Sequence, residues 1–346
     1  MVNRIERLEY LDALRGFAMF LVVFVHIEFF GFFDFSHTTF LGKLFSAIHL
    51  PTFFFISGFC MYRPNAVYGI SHLYTDVLRL IVPAFIVGIL YTYLIIHRDI
   101  VYFLSNTMKA GYWFTISLFE VIMIYRLVYW VSWNRDKLFV TLLLLTAIFL
   151  YLLKLPLKII PKAEVLGNYL CLHQTCNYFL YFAIGVLVCK YKDLVGRLSL
   201  NKLVPLLSLL IFIVFSYLMF SYFSLGQLNW MLDKIIETLG ETLVGISGVF
   251  LLYMFFVQYK ALFIRENPLG KIFIIVGNNT LAIYLLHYFL LPNLPMVGDF
   301  LKKYPNIIVE LFIGVLLSCL IITISLVIAK LLRTSPIMGK ALLGDK

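Results

Sequence analysis

Charge is what this chain has least of: Asp, Glu, Lys and Arg make up 13% of its 346 residues, against 62% hydrophobic residues. With a mean hydropathy of +0.95, that composition cannot present a water-soluble surface around a single core, and it points to a polytopic membrane protein. Cysteine is equally uninformative as chemistry. Cys60, Cys171, Cys176, Cys189 and Cys319 stand in apolar stretches at no metal-ligand spacing, so they read as small core residues and no metal is expected. No low-complexity stretch, internal repeat or long linker divides the chain, and the longest connections run to about fifteen residues. The expectation is one membrane-embedded domain over residues 1–346, with no additional soluble domain. The first apolar segment is too long for a cleaved leader, lacks a small-residue cleavage site and carries Arg15 and His26, so it is expected to stay in the mature protein.

What is present is a series of apolar runs long enough to span a bilayer. They fall at 11–33, 43–62, 77–96, 112–131 and 138–153, then at 169–188, 203–223, 235–257, 272–291 and 307–329. The fold class expected is all-α, a polytopic transmembrane bundle of about ten helices. The stretch 100–109 is too short to span and is expected to lie at the surface or dip back into the protein. Trp113, Trp130, Trp133 and Trp230 fall near helix ends, as interfacial tryptophans do. With the N-terminus inside, seventeen Lys and Arg residues fall in inner loops and tails against nine in outer loops. That bias predicts cytoplasmic N and C termini. The net charge of +10 is then accounted for by topology and anionic membrane lipid, with no nucleic-acid partner.

Ionisable residues inside such segments are costly and mark function. Arg15 and His26 lie eleven residues apart in the first segment, which is about three helical turns, so they share one stripe roughly 16 Å apart. Counting from the inner end places Arg15 in the inner half of the membrane and His26 about 24 Å along, in the outer half. The same count along the ninth segment puts His287 at nearly that depth, and His49 and His173 sit one to two turns below the outer surface. Glu120, Glu237 and Glu241 also enter from the outer side. Arg15, Arg63, Arg79 and Arg126 collect in the inner half or at the inner surface, as suits an anionic ligand arriving from the cytoplasm. Taken singly, Arg63 and Arg79 also read as positive-inside anchors, and His49 and His173 as packing residues. Asp12 is placed to pair with Arg15, whereas Glu28 points away from His26. Thr280, Tyr284 and His287 share one face of the ninth segment, and Pro51 interrupts the backbone bonding of the second.

The segment Tyr10 to His26, YLDALRGFAMFLVVFVH, closely resembles the opening helix of the membrane acyltransferase-3 family, whose signature is an arginine, ten residues and a histidine. Three further segments agree in the same order: HLPTFFFISGF from His49, YFAIGVLV from Tyr181 and GNNTLAIYLLH from Gly277. The resemblance implies an integral membrane O-acyltransferase of the bacterial cytoplasmic membrane. Such an enzyme takes an acyl group, as a rule acetyl, from acyl-CoA in the cytoplasm to a sugar hydroxyl of a surface or exported glycan. Acyl-CoA, a carbohydrate or glycolipid acceptor and glycan-assembly proteins are the partners it implies. Carried over by position, His26 resembles the catalytic histidine and Arg15 its partner at the donor end. Arg79, four residues before Pro83, resembles the basic motif of the third helix, although Asp76 and Leu78 stand where many members carry further arginines. The donor is then expected near Arg15, Arg63, Arg79 and Arg126, with His26 acting as general base or nucleophile. His287, Tyr284 and Glu120 are candidates for positioning the ring or stabilising the oxyanion. The rival reading from another class is a secondary transporter or lipid-carrier flippase, since buried charges among about ten helices also fit a substrate pathway.

Overall fold

The computed structural model describes residues 8–32, 39–64, 66–133, 135–200, 203–225 and 230–345. Its helices are α1 (Glu9–His26), α2 (Phe40–Met61), α3 (Ile70–Asp76), α4 (Val82–Leu94), α5 (Ile100–Ser105) and α6 (Trp113–Val131). They continue as α7 (Asp136–Ile159), α8 (Pro161–Leu170), α9 (Leu172–Lys190), α10 (Lys192–Leu200), α11 (Leu203–Leu225) and α12 (Trp230–Gln258). The last are α13 (Pro268–Asn278), α14 (Thr280–Leu286), α15 (Pro295–Lys303), α16 (Ile307–Leu332) and α17 (Pro336–Leu343). No strand occurs among the described residues. Among the described residues eight helices are long and apolar enough to cross a membrane, or nine when the bent pair α13 and α14 is taken as one span; α11 contributes a shorter apolar helix at Leu203–Leu218. The all-α polytopic bundle is therefore what the chain forms.

In hydrocarbon only helices and closed barrels satisfy every backbone group, and apolar runs of about twenty residues have the length of the first and not of barrel strands. Their outward faces confirm the solvent. Along α16, Leu316, Leu320, Ile324, Val327 and Leu331 are all exposed, and α7 exposes Leu145, Ile148, Phe149 and Leu152. A continuous greasy stripe of that kind is a liability in water and ordinary against lipid.

Several expectations need refinement. The third span begins earlier, at Ile70, because a π turn (Val77–Ile81) joins α3 to α4 without a break. The ninth segment is not one straight helix: α13 ends at Asn278, α14 restarts at Thr280 with a 64° bend, and residues His287–Leu290 tighten into a 3₁₀ turn. A depth for His287 counted along a straight helix therefore has no basis. Trp113 begins α6 as expected but is buried against the protein, stacked on Tyr178 at 5.6 Å, while Trp130 and Trp133 are exposed; the side chain of Trp230 lies outside the described residues. Of the cysteines, Cys171 and Cys176 are buried as expected, whereas Cys60 and Cys319 are exposed. Proline does not open α2, which runs through Pro51 to Met61. The stretch after residue 100 is short as expected, a single helix α5 and a 3₁₀ turn at Lys109–Gly111.

The helices gather into two compact units. One contains α1, the first part of α2, α10 to α13, α15 and most of α16; the other contains the rest of α2, α3 to α9, α14, the end of α16 and α17. In the first, α1 packs along α13 and α12, and α11 packs on α12. In the second, α9 packs on α7 and α6, and α17 lies on α4.

Candidate functional site

Each unit is locked at one very close helix crossing built from a reciprocal glycine pair. In the first, a Cβ on Gly16 would stand 2.0 Å from the Phe273 carbonyl oxygen, and one on Gly277 would stand 1.9 Å from that of Asp12. In the second, Gly58 meets the Phe182 oxygen and Gly185 the Phe55 oxygen, each at 2.0 Å. Small residues allow this approach and replace the hydrophobic drive that helices lack in lipid. Gly16 follows Arg15 directly, so the first crossing fixes the height and rotation of the arginine.

Arg15 and His26 are half-buried on a helix whose other residues between them, apart from Phe17 and Phe20, are buried. Because α1 is continuous from Glu9 to His26, the two are separated by about 16 Å of rise and stay on one stripe with Asp12. The His26 ring lies edge-on to Phe30 at 5.8 Å. A π turn (Ile27–Gly31) starts at the next residue, and such turns gather at functional sites. His49, in the same unit, is buried, with Nδ1 donating to the Phe45 carbonyl at 2.7 Å, which is a packing arrangement. Glu241 is exposed, and the side chain of Glu237 lies outside the described residues.

The second unit holds the remaining candidates. His287 is fully buried, and its Nδ1 faces the carbonyls of Tyr284 (2.8 Å) and Ile283 (3.0 Å). Two carbonyl acceptors at Nδ1 place a proton on that nitrogen and hold the ring against its own helix. The Tyr284 hydroxyl donates to the Gly111 carbonyl at 2.8 Å and accepts from the Phe114 amide at 3.2 Å. Its proton is thus committed to the backbone, and the group acts as a clamp on the turn before α6. Gly111 itself has φ +101°, and a Cβ there would run into the Tyr288 ring. Glu120 accepts from Thr175 Oγ1 at 2.5 Å, and Thr175 is in turn 2.9 Å from Ser117 Oγ, a polar chain between α6 and α9. His173 is half-buried at the start of α9 beside Gly167.

In the sequence Lys109 is one more lysine between two apolar runs, with nothing to mark it. It is 1% exposed, and its ammonium donates to the carbonyls of Leu104, Asn106 and Asn168. Burial pulls its pKa below the ordinary lysine value, opposed by Cys171 and Glu120 nearby. A cation caging three backbone carbonyls explains how a left-handed stretch, with φ 46° at Lys109 and 51° at Ala110, is held.

Among the basic residues, Arg63 and Arg79 are exposed. Arg79 sits in the π turn ahead of α4, and its carbonyl oxygen lies against Gly344 of the C-terminal segment. Arg126 is engaged: it pairs with Asp76 at 2.6 Å and lies over the Tyr68 ring at 5.1 Å. Asp76, which departs from the basic pattern of this loop, thus has a physical role as the counter-ion of Arg126. A double-mutant cycle tests it. Arg126→Met should lower stability by roughly 3 kcal/mol or less, because the side chains are 11% and 18% exposed and an uncompensated carboxylate is left behind. Adding Asp76→Leu should recover part of that loss in the melting temperature, whereas simple additivity would mean the pair is not coupled.

Among the described residues no group of three or more His, Cys, Asp or Glu side chains could hold a metal. A family model described as an acyltransferase domain matches residues 8–330, which covers most of both units. Neither a curated protein nor a solved structure matches the chain.

Proposed function

Because the chain belongs to the acyltransferase-3 family and is a multi-pass membrane acyltransferase, we propose that it moves an acyl group, acetyl above all, from cytoplasmic acyl-CoA to a hydroxyl of an exported or surface glycan. The observation that carries this reading is the pair Arg15 and His26 on one stripe of a continuous, otherwise largely buried helix. Their separation of about 16 Å is of the order of an extended pantetheine arm. In this reading the donor phosphates lie at Arg15. The thioester then reaches His26.

As general base, a neutral ring nitrogen of His26 takes the acceptor hydroxyl proton while that oxygen attacks the thioester carbonyl. The C–S bond breaks, the coenzyme A thiolate leaves, and the imidazolium returns the proton to sulfur. As nucleophile, the same nitrogen carries the acyl group between donor and acceptor. Cytoplasmic termini follow in this reading from the bias of basic residues to one side, and a place in the plasma membrane from the proposed use of cytoplasmic acyl-CoA and an exported acceptor.

Coenzyme A binding separates this proposal from a transporter or flippase. Acetyl-CoA should raise the melting temperature of the detergent-purified protein in a saturable way, and Arg15→Ala should weaken the effect at least tenfold in half-saturating concentration. A protein that melts cooperatively and ignores acetyl-CoA would favour a carrier.

A further inference from the structure

The first helix passes directly from His26 into its π turn, and that turn carries Glu28. Glu28 has no exposed surface, and neither carboxylate oxygen meets a hydrogen-bond donor. Its neighbour is the carboxyl group of Glu310, 6% exposed on the first turn of α16, with Oε1 likewise lacking a donor. Helix packing explains the juxtaposition. A Cβ on Gly314 would stand 2.2 Å from Cε2 of Phe24, so α16 is pressed against the first helix at that point. Glu28 is one turn beyond Phe24 and Glu310 one turn before Gly314, the spacing that aligns two antiparallel helices side chain to side chain.

No cation compensates this meeting among the described residues. On α15, packed against the π turn, Asp299, Lys302 and Lys303 are all exposed. On α1, Glu9 pairs with Arg265, and Arg15 lies three turns from His26. On α2, His49 is bonded to its own backbone and Lys43 stands near the start of the helix. Lys330 is at the far end of α16. The charged group acting on Glu28 is Glu310.

Two dry carboxylates side by side cannot both stay ionised, and one proton turns their repulsion into a hydrogen bond from the O–H of one to an oxygen of the other. We propose that Glu28 and Glu310 form a membrane-embedded proton-binding site, with one proton held between the two carboxyl groups. The negative charge rests on Glu310, in the first turn of α16, where the N-terminal N–H groups favour an anion. The proton rests on Glu28, which has no such field. Ionisable residues within membrane helices mark proton and ion sites, and a π turn is itself a feature of functional positions. Because the turn begins one residue after His26, gain or loss of that proton bears on the packing next to the imidazole. The site does not depend on the acyl-transfer reading.

Infrared spectroscopy of the purified full chain near neutral pH tests this without any activity assay. The protonated-carboxyl stretch should contain a component that disappears in Glu28→Gln, whose amide keeps a donor toward Glu310 and should preserve folding. In Glu310→Gln the component should persist but shift, since its charged acceptor is gone. Spectra of Glu28→Gln that superimpose on wild type would overturn the proposal. Should Glu28→Gln fail to fold, the Glu310→Gln spectrum decides: a shifted component supports the shared proton, and an unchanged one refutes it.

Discussion

Replacing His26 by alanine is expected to cut acyl transfer by about 10²–10⁴-fold, the usual contribution of a positioned acid or base, with folding intact. The side chain is half-buried on a helix position where alanine is the best helix former, so neither a large cavity nor a lost helical bond accompanies the change. On the proposed mechanism the ring meets the reacting atoms and not the body of the donor, so the loss should appear in kcat. Arg15→Ala should differ in kind, raising KM for acyl-CoA more than it lowers kcat. Transfer rates of His26→Ala measured at saturating acyl-CoA check the first statement. A variant that works at the wild-type rate removes His26 from the mechanism.

The second large effect is structural. Gly16→Val and Gly58→Val should each abolish recovery of monodisperse folded protein. At both positions the nearest atoms to a new Cβ are backbone carbonyls, 2.0 Å away, which cannot rotate aside as a side chain would. Overpacking by even one carbon costs about 1–3 kcal/mol in a well-filled core, and here whole helices must separate. Gly196→Ala is the matched control: nothing lies within 4 Å of its would-be Cβ on α10, so alanine there should be neutral or slightly stabilising. Size-exclusion profiles of the three variants report the contrast. Normal profiles for both valine variants would mean that these crossings do not hold the units together.

The apolar runs were legible because length and composition leave membrane segments few alternatives, and α1, α6 and α16 begin within a few residues of the expected places. Breaks were less visible. The bend at Asn279 has no proline at the break, so periodicity alone reads through it; the π turn before α4 does precede Pro83, whose missing N–H leaves the Arg79 carbonyl without its helical partner, but a proline in an apolar run does not say which break it makes. Arg15 and His26 stood out because charge is rare in this chain and both fall on one stripe. The glycine pairs went unread although one glycine sits in each of the four segments that resemble the family. A lone glycine in an apolar run carries no signal of its partner until the helices are paired. Glu28 was set aside because it faces away from His26 on its own helix; its partner Glu310 lies 282 positions further along the chain. Lys109 was counted as a loop charge, and only the fold shows the three carbonyls that surround it.

The central claim is transfer of an acyl group from coenzyme A across the membrane by His26. The most direct measurement places purified protein in liposomes, supplies labelled acetyl-CoA on one side, and follows thiol release and label on the far side for wild type and His26→Ala. The account predicts thiol release that depends on His26, with label reaching a hydroxyl acceptor on the opposite face. Folded wild-type protein that neither releases thiol nor moves label, or that does both equally well without His26, would contradict it.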